Sequence, residues 1–242
     1  MRAGRPDAAY LRELQLRHLR SVPFESLSIH LGERIVLDVD ALLEKIVGRR
    51  RGGFCYELNG LFERLLTALG YDVTMHSASV FGGDSPGPPF DHLVLRVTAE
   101  GRAWLVDVGF GAFAHHPLLW DERGDQTDPG GVYRIDGLPD GDLVVHQDRE
   151  PEYRIEVRPR ALTDFVPTCW WQQTSPDSHF TQSPVCSMLT DTGRVTLRGR
   201  TLIETRADGR SETEVEDDRR LLDLYGERFG IVLDRVPLPP DL

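Results

Sequence analysis

RRRGGFCYELNGLF, residues 49–62, is the stretch from which the fold is read. Gly52 and Gly53 break the chain, and a helical pattern follows at once: Leu58, Leu61, Phe62, Leu65, Leu66 and Leu69 recur at i, i+3, i+4 and i+7. Gly70 fits the C-terminal cap of that helix. Cys55 therefore falls in the first turn or just before it. Unpaired backbone N–H groups and the positive end of the helix dipole favour an anion there. A thiol so placed has its pKa lowered, and the thiolate is the nucleophilic form. The competing reading is a small buried hydrophobe, the usual fate of a free cysteine. Position alone gives the two readings even weight.

Upstream, the chain reads as helical. Leu11, Leu14, Leu16 and Leu19 mark a helix over Ala8 to Leu19. Asp38 is a cap for a second over Asp38 to Val47, with Val39, Leu42, Leu43 and Ile46 on one side. After Gly70 the texture changes. Tyr71 to Phe81, His92 to Thr98 and Arg102 to Val108 read as strands, with a turn-rich loop over residues 82–90. Val132 to Ile135, Leu143 to Val145, Tyr153 to Val157 and Arg194 to Leu197 are further strand candidates. A last helix is expected over Asp217 to Phe229.

A nucleophilic cysteine needs a base, and the base needs an orienting partner. His92 begins one strand and Asp107 lies at the end of the next. A two-residue loop on Ala99–Glu100 sets these residues opposite each other. One on Glu100–Gly101 makes them diagonal neighbours. Both registers put the side chains on one face of the hairpin, whereas a three-residue loop separates them. Asp107 lies between Val106 and Val108 in an apolar strand, where an aspartate needs a buried partner. His92 alone reads as a structural histidine; the pairing with Asp107 and a helix-start cysteine favours a catalytic role.

Composition narrows the function classes. A net charge of −11 argues against a phosphate-backbone partner, so no nucleic acid is expected. No apolar run approaches a membrane span, and the first residues lack a signal-peptide core. Three scattered cysteines form neither a disulfide framework nor a CxxC zinc pattern. A cytoplasmic protein is the simplest expectation.

RRRGGFCYELNGLF, DHLVLRV, LVDVGFG, SPDSHF and ERFGI, in that order along the chain, resemble the arylamine N-acetyltransferase family. The likeness runs from about Leu11 to Val232. It implies an α+β fold of papain and transglutaminase type: a helical bundle over 1–68 carrying the nucleophile, a β-barrel over 69–176 carrying His92 and Asp107, and an α/β lid over 177–242. It implies that Cys55, His92 and Asp107 form a catalytic triad. The activity implied is acyl transfer from acetyl-coenzyme A, as co-substrate, to an arylamine, hydrazine or related amine by a ping-pong route. Gly109, Phe110 and Gly111 match residues that border the acceptor pocket and the coenzyme A channel, and His179 and Phe180 match residues that approach the cleft. From the residues alone, Phe110 and Phe180 read as core, the glycines as a tight turn and His179 as a loop histidine. Asp91 departs from the family pattern, in which many members carry a small hydroxyl residue before the histidine.

The remaining polar groups have plainer readings. At least two of Arg49, Arg50 and Arg51 are expected at a solvated helix C-terminus. Glu57 and Asn59 read as structural. The His115–His116 pair lacks a carboxylate or cysteine at ligand spacing, so no metal is expected. Cys169, beside Trp170 and Trp171, and Cys186 read as inert. The nearest alternative activity is a macrolactam-forming amide synthase with the same triad, whose donor would sit on an acyl carrier protein. A papain-like cysteine hydrolase is a more distant one.

Overall fold

The computed structural model describes residues 5–238. The chain opens with helix α1 (Ala8–Ser21), a short strand β1 (Phe24–Glu25) and two short helices, α2 (Leu27–His30) and α3 (Val39–Leu43). Helix α4 (Cys55–Ala68) leads into β2 (Asp72–Val80), β3 (His92–Ala99), β4 (Arg102–Val106), β5 (Leu118–Leu119), β6 (Gln126–Asp128), β7 (Gly131–Gly137), β8 (Leu143–Gln147) and β9 (Glu150–Arg160). Helices α5 (Val166–Thr174) and α6 (His179–Gln182) come next. Strands β10 (Val185–Thr190), β11 (Gly193–Arg198), β12 (Thr201–Arg206) and β13 (Gly209–Glu214) precede the last helix, α7 (Asp218–Phe229). The expected α+β papain-like class is realised in this order of helices and sheets. None of the helices among the described residues is long and apolar enough to cross a membrane.

Contacts gather these elements into two units that interleave along the sequence. One comprises the described residues up to Arg17 together with Cys55–Phe165; the other comprises His18–Phe54 together with the described residues from Val166 onward. This grouping differs from the expected segments 1–68, 69–176 and 177–242, because the helical segment is shared between the two units.

The first unit is built on an antiparallel sheet of eight strands in the order β5-β4-β3-β2-β9-β8-β7-β6. Register shifts at His76/Ala78 and at Val145/His146 bend it. The sheet curls until its edge strands nearly meet. The Gln126 side chain bridges the gap: its Oε1 accepts from the Leu119 N–H at 2.7 Å and its Nε2 donates to the Leu119 carbonyl at 3.0 Å. Alternate residues fill the concave side, among them Val94, Leu105, Ile135, Val145, Tyr153 and Ile155. Each side chain buried this way stabilises the fold by about 1.5–3 kcal/mol relative to exposure.

The hairpin that carries His92 adopts one of the two registers left open by the sequence. Ala99 pairs with Arg102 and Leu95 with Val106, so the loop is Glu100–Gly101. Both loop residues have positive φ, 52° and 74°, the type I′ geometry that matches strand twist. His92 and Asp107 are thereby diagonal across the hairpin.

The second unit holds the sheet β1-β10-β11-β12-β13. Leu221, Leu224, Tyr225 and Phe229 of α7 join Leu27, Cys186, Val195 and Leu197 in its core. Asp217 caps α7 by accepting from the Arg220 N–H. The outer strand, GRSETE, is fully exposed, and its charges discourage edge-to-edge pairing. The second expected helix is shorter than its pattern: α3 ends at Leu43 and passes into a wide π-turn over Glu44–Gly48. Asp38 caps α3 as expected, but the wide turn rotates Leu43 and Val47 outward and Lys45 inward.

Lys45 turns inward because Glu25 is fully buried. One Glu25 oxygen lies 3.0 Å from Arg51 Nη2 and 3.8 Å from Lys45 Nζ; the other accepts from the Leu27 N–H at 2.5 Å. Burial alone raises a carboxyl pKa, but the Lys45 and Arg51 charges outweigh it and hold Glu25 below the usual range. Gly52 follows from the same packing, since a Cβ there would lie 1.9 Å from the Pro23 carbonyl oxygen. Of the three consecutive arginines, Arg49 and Arg50 are exposed and Arg51 is buried. Arg51→Met would leave an under-compensated buried carboxylate, and the expected loss is about 3–5 kcal/mol in urea unfolding. A loss below about 1 kcal/mol would show that Lys45 alone compensates Glu25.

Candidate active site

Helix α4 starts at Cys55, which places the cysteine in its first turn, and the residue is buried. Asn59 stands one turn further along, on the same helical face. Its amide Nδ2 donates to Asp107 Oδ1 at 2.9 Å and to the Leu93 carbonyl at 2.7 Å, and its Oδ1 accepts from the Val108 N–H at 3.0 Å. The helix that presents Cys55 is thus stitched to the strands that present His92 and Asp107.

His92 and Asp107 are each 2% exposed and joined at 2.7 Å, His92 Nε2 to Asp107 Oδ2. A carboxylate offers only acceptors, so Nε2 carries the hydrogen and Nδ1 is the ring nitrogen left for proton exchange. Asp107 Oδ1 also accepts from the Gly109 N–H at 2.9 Å. Three donors therefore surround the carboxylate, as a buried charge requires.

Aromatic side chains wall this pair. The ring of Phe110 meets His92 edge-on at 5.2 Å, and Tyr153 lies 5.4 Å from His92 and 5.3 Å from Phe110. Phe113 and Tyr133 extend the wall. Burial pushes the Tyr153 phenol well above its ordinary pKa, and the Asp107 charge adds to the shift, so Tyr153 stays neutral. Its hydroxyl feels that charge without a hydrogen bond of ordinary geometry.

Gly109 has a stricter role than a turn. A Cβ on it would lie 2.7 Å from the Cys55 Cα, 2.7 Å from Asn59 Nδ2 and 3.0 Å from the Cys55 carbonyl oxygen. The loop after Asp107 rests directly on the backbone of the cysteine, and only hydrogen fits between them. Gly111 has φ 91°, in the left-handed region.

The structure gathers Cys55, His92, Asp107, Gly109, Phe110 and Gly111 within the first unit. His179 and Phe180 belong to the second. There they form α6, capped by Ser178, and Phe180 packs edge-on against Phe54 at 5.4 Å and against Phe24 at 6.2 Å. The sequence reading leaves Asn59 as a structural residue, yet it touches Asp107. The available signal is its i+4 spacing from Cys55, which puts an amide on the helical face of that cysteine. His115 and His116 are tied to Asp128, which accepts from both backbone N–H groups and from His116 Nδ1 at 2.8 Å. Cys169 is buried as expected, but the adjoining Trp170 and Trp171 are about half exposed rather than part of an apolar shell. Burial, then the nearby Glu25 charge, pushes the Cys186 thiol well up, so it is a poor nucleophile.

Comparison with known proteins bears on what this arrangement does. The profile of an N-acetyltransferase family matches residues 7–237. An arylamine N-acetyltransferase of Mycolicibacterium smegmatis is 36% identical over 95% of this chain and 87% of its own. A pineal gland isozyme of arylamine N-acetyltransferase from Gallus gallus is 31% identical over 96% of this chain and 90% of its own. Among solved structures, Mycobacterium marinum arylamine N-acetyltransferase in complex with CoA superposes with a TM-score of 0.86 at 34% identity, covering 93% of this chain and 87% of that one.

The tight contact at Gly109 is open to test. Gly109→Ala forces its methyl against Cys55 backbone, an overpacking expected to lower stability by about 1–3 kcal/mol in denaturant unfolding. An unchanged midpoint would show that the loop moves aside freely.

Proposed function

The chain belongs to the arylamine N-acetyltransferase family, and from that premise we propose that Cys55, His92 and Asp107 carry its chemistry, with Cys55 as the nucleophile. The protein is an acyltransferase that moves an acetyl group from acetyl-coenzyme A to an arylamine. The 2.7 Å bond between His92 Nε2 and Asp107 Oδ2 carries the assignment of roles, because it leaves Nδ1 as the nitrogen able to take a proton.

In the first half-reaction, His92 holds the proton lost by Cys55, and the thiolate attacks the acetyl carbonyl of the thioester. The tetrahedral intermediate collapses, its C–S bond to coenzyme A breaks, and the imidazolium returns a proton to the departing thiolate. Acetylated Cys55 remains. In the second half-reaction the amine attacks that carbonyl, His92 takes the amine proton, and the Cys55 thiolate leaves. Backbone N–H groups at the start of α4 are suited to stabilise both oxyanions. Asp107 fixes the imidazole tautomer and orientation throughout.

Phe110 lines the aromatic wall beside His92, which suits it to pack against a flat acceptor ring. Gly109 and Gly111, on the same loop, are proposed to border the same pocket. His179 and Phe180 are proposed as substrate-binding residues on the strength of the sequence motif alone. The relatives carry acetyltransferase names and give no support to a carrier-protein donor, so the amide-synthase reading falls behind acetyl transfer. Three free, buried cysteines suit a reducing, cytoplasmic setting.

Intact mass after brief exposure to acetyl-coenzyme A tests the route. The native protein should gain one acetyl group and lose it when an aromatic amine is added, whereas Cys55→Ala should gain none. An adduct on Cys55→Ala would remove the cysteine from the mechanism. Separately, Asp107→Asn should lower kcat by about 10³–10⁴-fold while the protein stays folded, through loss of the correct tautomer. Near-native kinetics would take Asp107 out of the triad.

A further inference from the structure

We propose that Tyr56 is a positioning residue for acetyl transfer, its hydroxyl fixing the peptide that leads into His92. The inference rests on the roles assigned above to Cys55 and His92, and it concerns how the base is held on the side that the sheet leaves open.

His92 is the first residue of β3. On one side it pairs with Ala78 of β2, the last pair of that ladder. On the other side the pairing with β4 stops at Leu95–Val106, so His92 lies beyond it. Strand pairing therefore secures the base along one edge only, and the chain entering it needs another anchor.

That chain is strained. Phe90 has φ 64°, in the left-handed region that a bulky residue avoids. Such a conformation persists only where the surroundings over-determine it. Here they do. The Phe90 N–H donates to Ser77 Oγ at 2.9 Å. Its carbonyl accepts from the Tyr56 hydroxyl at 2.8 Å. Its ring meets Phe165 edge-on at 5.4 Å, and the Arg160 guanidinium stands over that ring, 4.9 Å from its centroid. The same Tyr56 hydroxyl reaches the Asp91 carbonyl at 3.1 Å, and that carbonyl belongs to the peptide bond joining Asp91 to His92.

Tyr56 follows Cys55 directly in α4 and is fully buried, with its ring 5.7 Å from Phe165. One side chain thus ties the nucleophile's own helical turn to the peptide that orients the base. Asn59 makes the corresponding tie to Asp107, so the helix of Cys55 registers both partners independently. A buried phenol needs an acceptor, and the two that Tyr56 meets are the carbonyls of the peptides on either side of Asp91.

Tyr56→Phe deletes one oxygen and keeps the ring. The readouts are the rate of Cys55 acetylation by acetyl-coenzyme A, the pH dependence of Cys55 alkylation by iodoacetamide, and the melting temperature, with His92→Gln as the reference for a lost base. The proposal expects acetylation to slow by at least about tenfold. It also expects the alkylation profile to move towards that of His92→Gln, beyond what any loss of folded protein accounts for. Ser77→Ala, which releases the Phe90 N–H from the opposite side, should move the profile in the same direction. It decides the matter if Tyr56→Phe does not fold. A folded Tyr56→Phe, or failing that a folded Ser77→Ala, with the native profile and rate overturns the positioning role. A native profile identical to that of His92→Gln would instead overturn the assignment of His92 as the base.

Discussion

A carboxylate taken out of water must find donors for its oxygens, and the Asp107 carboxylate organises the first unit around that need. Its three donors come from three places: the His92 ring, the Asn59 amide and the Gly109 backbone. Each constrains a different element. His92 ties the start of β3 to the residue that follows β4, Asn59 fixes the rotation of α4, and Gly109 fixes the loop that rests on Cys55. Losing any one donor leaves charge exposed to a low-dielectric interior, which penalises alternative packings more than it rewards the native one. The cysteine needs no direct bond to the aspartate to be located by it, since its helix and its neighbouring loop are both held there.

Much of this site was legible because its parts obey strong local rules. Gly-Gly before a leucine-rich 3.6-residue period puts Cys55 in the first turn of α4 or just before it, and an aspartate inside Val106–Val108 demands a buried partner. The hairpin register was narrowed to two choices, and Glu100–Gly101 was selected because type I′ geometry suits the twist of paired strands. Asn59 was undervalued because an asparagine inside a helix has no sequence mark that distinguishes an inward amide from an outward one. The interleaving of the two units was invisible for a different reason: it is a property of contacts distant in sequence, such as Phe24 with Ser187.

Errors elsewhere have equally local causes. The period over Val39–Val47 assumes 3.6 residues per turn, and the π-turn at Glu44–Gly48 breaks that assumption, so Leu43 faces out and Lys45 faces in. Arg194–Leu197 reads as a strand, but its partner β12 and the next strand out, β13, do not, since TLIETR and GRSETE lack apolar alternation. Strand β13 is paired on one side and exposed on every residue, and the pairing rather than the side chains maintains it. Helix α5 was missed because VPTCWWQQT begins with a β-branched residue and proline, although proline in a first turn is compatible with a helix.

The interleaved connectivity has a consequence for synthesis on the ribosome. Every described residue of the unit that holds Cys55, His92 and Asp107 has been made once Phe165 has been added. The other unit must wait: β1 is made early, but its partner β10 emerges some 160 residues later. The buried Glu25 lies in that waiting segment, beside an arginine and a lysine already synthesised, while Leu27 lacks the apolar neighbours that α7 will supply. During elongation the sheet that carries His92 has all its strands in hand before residues 18–54 can meet their partners in the last third of the chain.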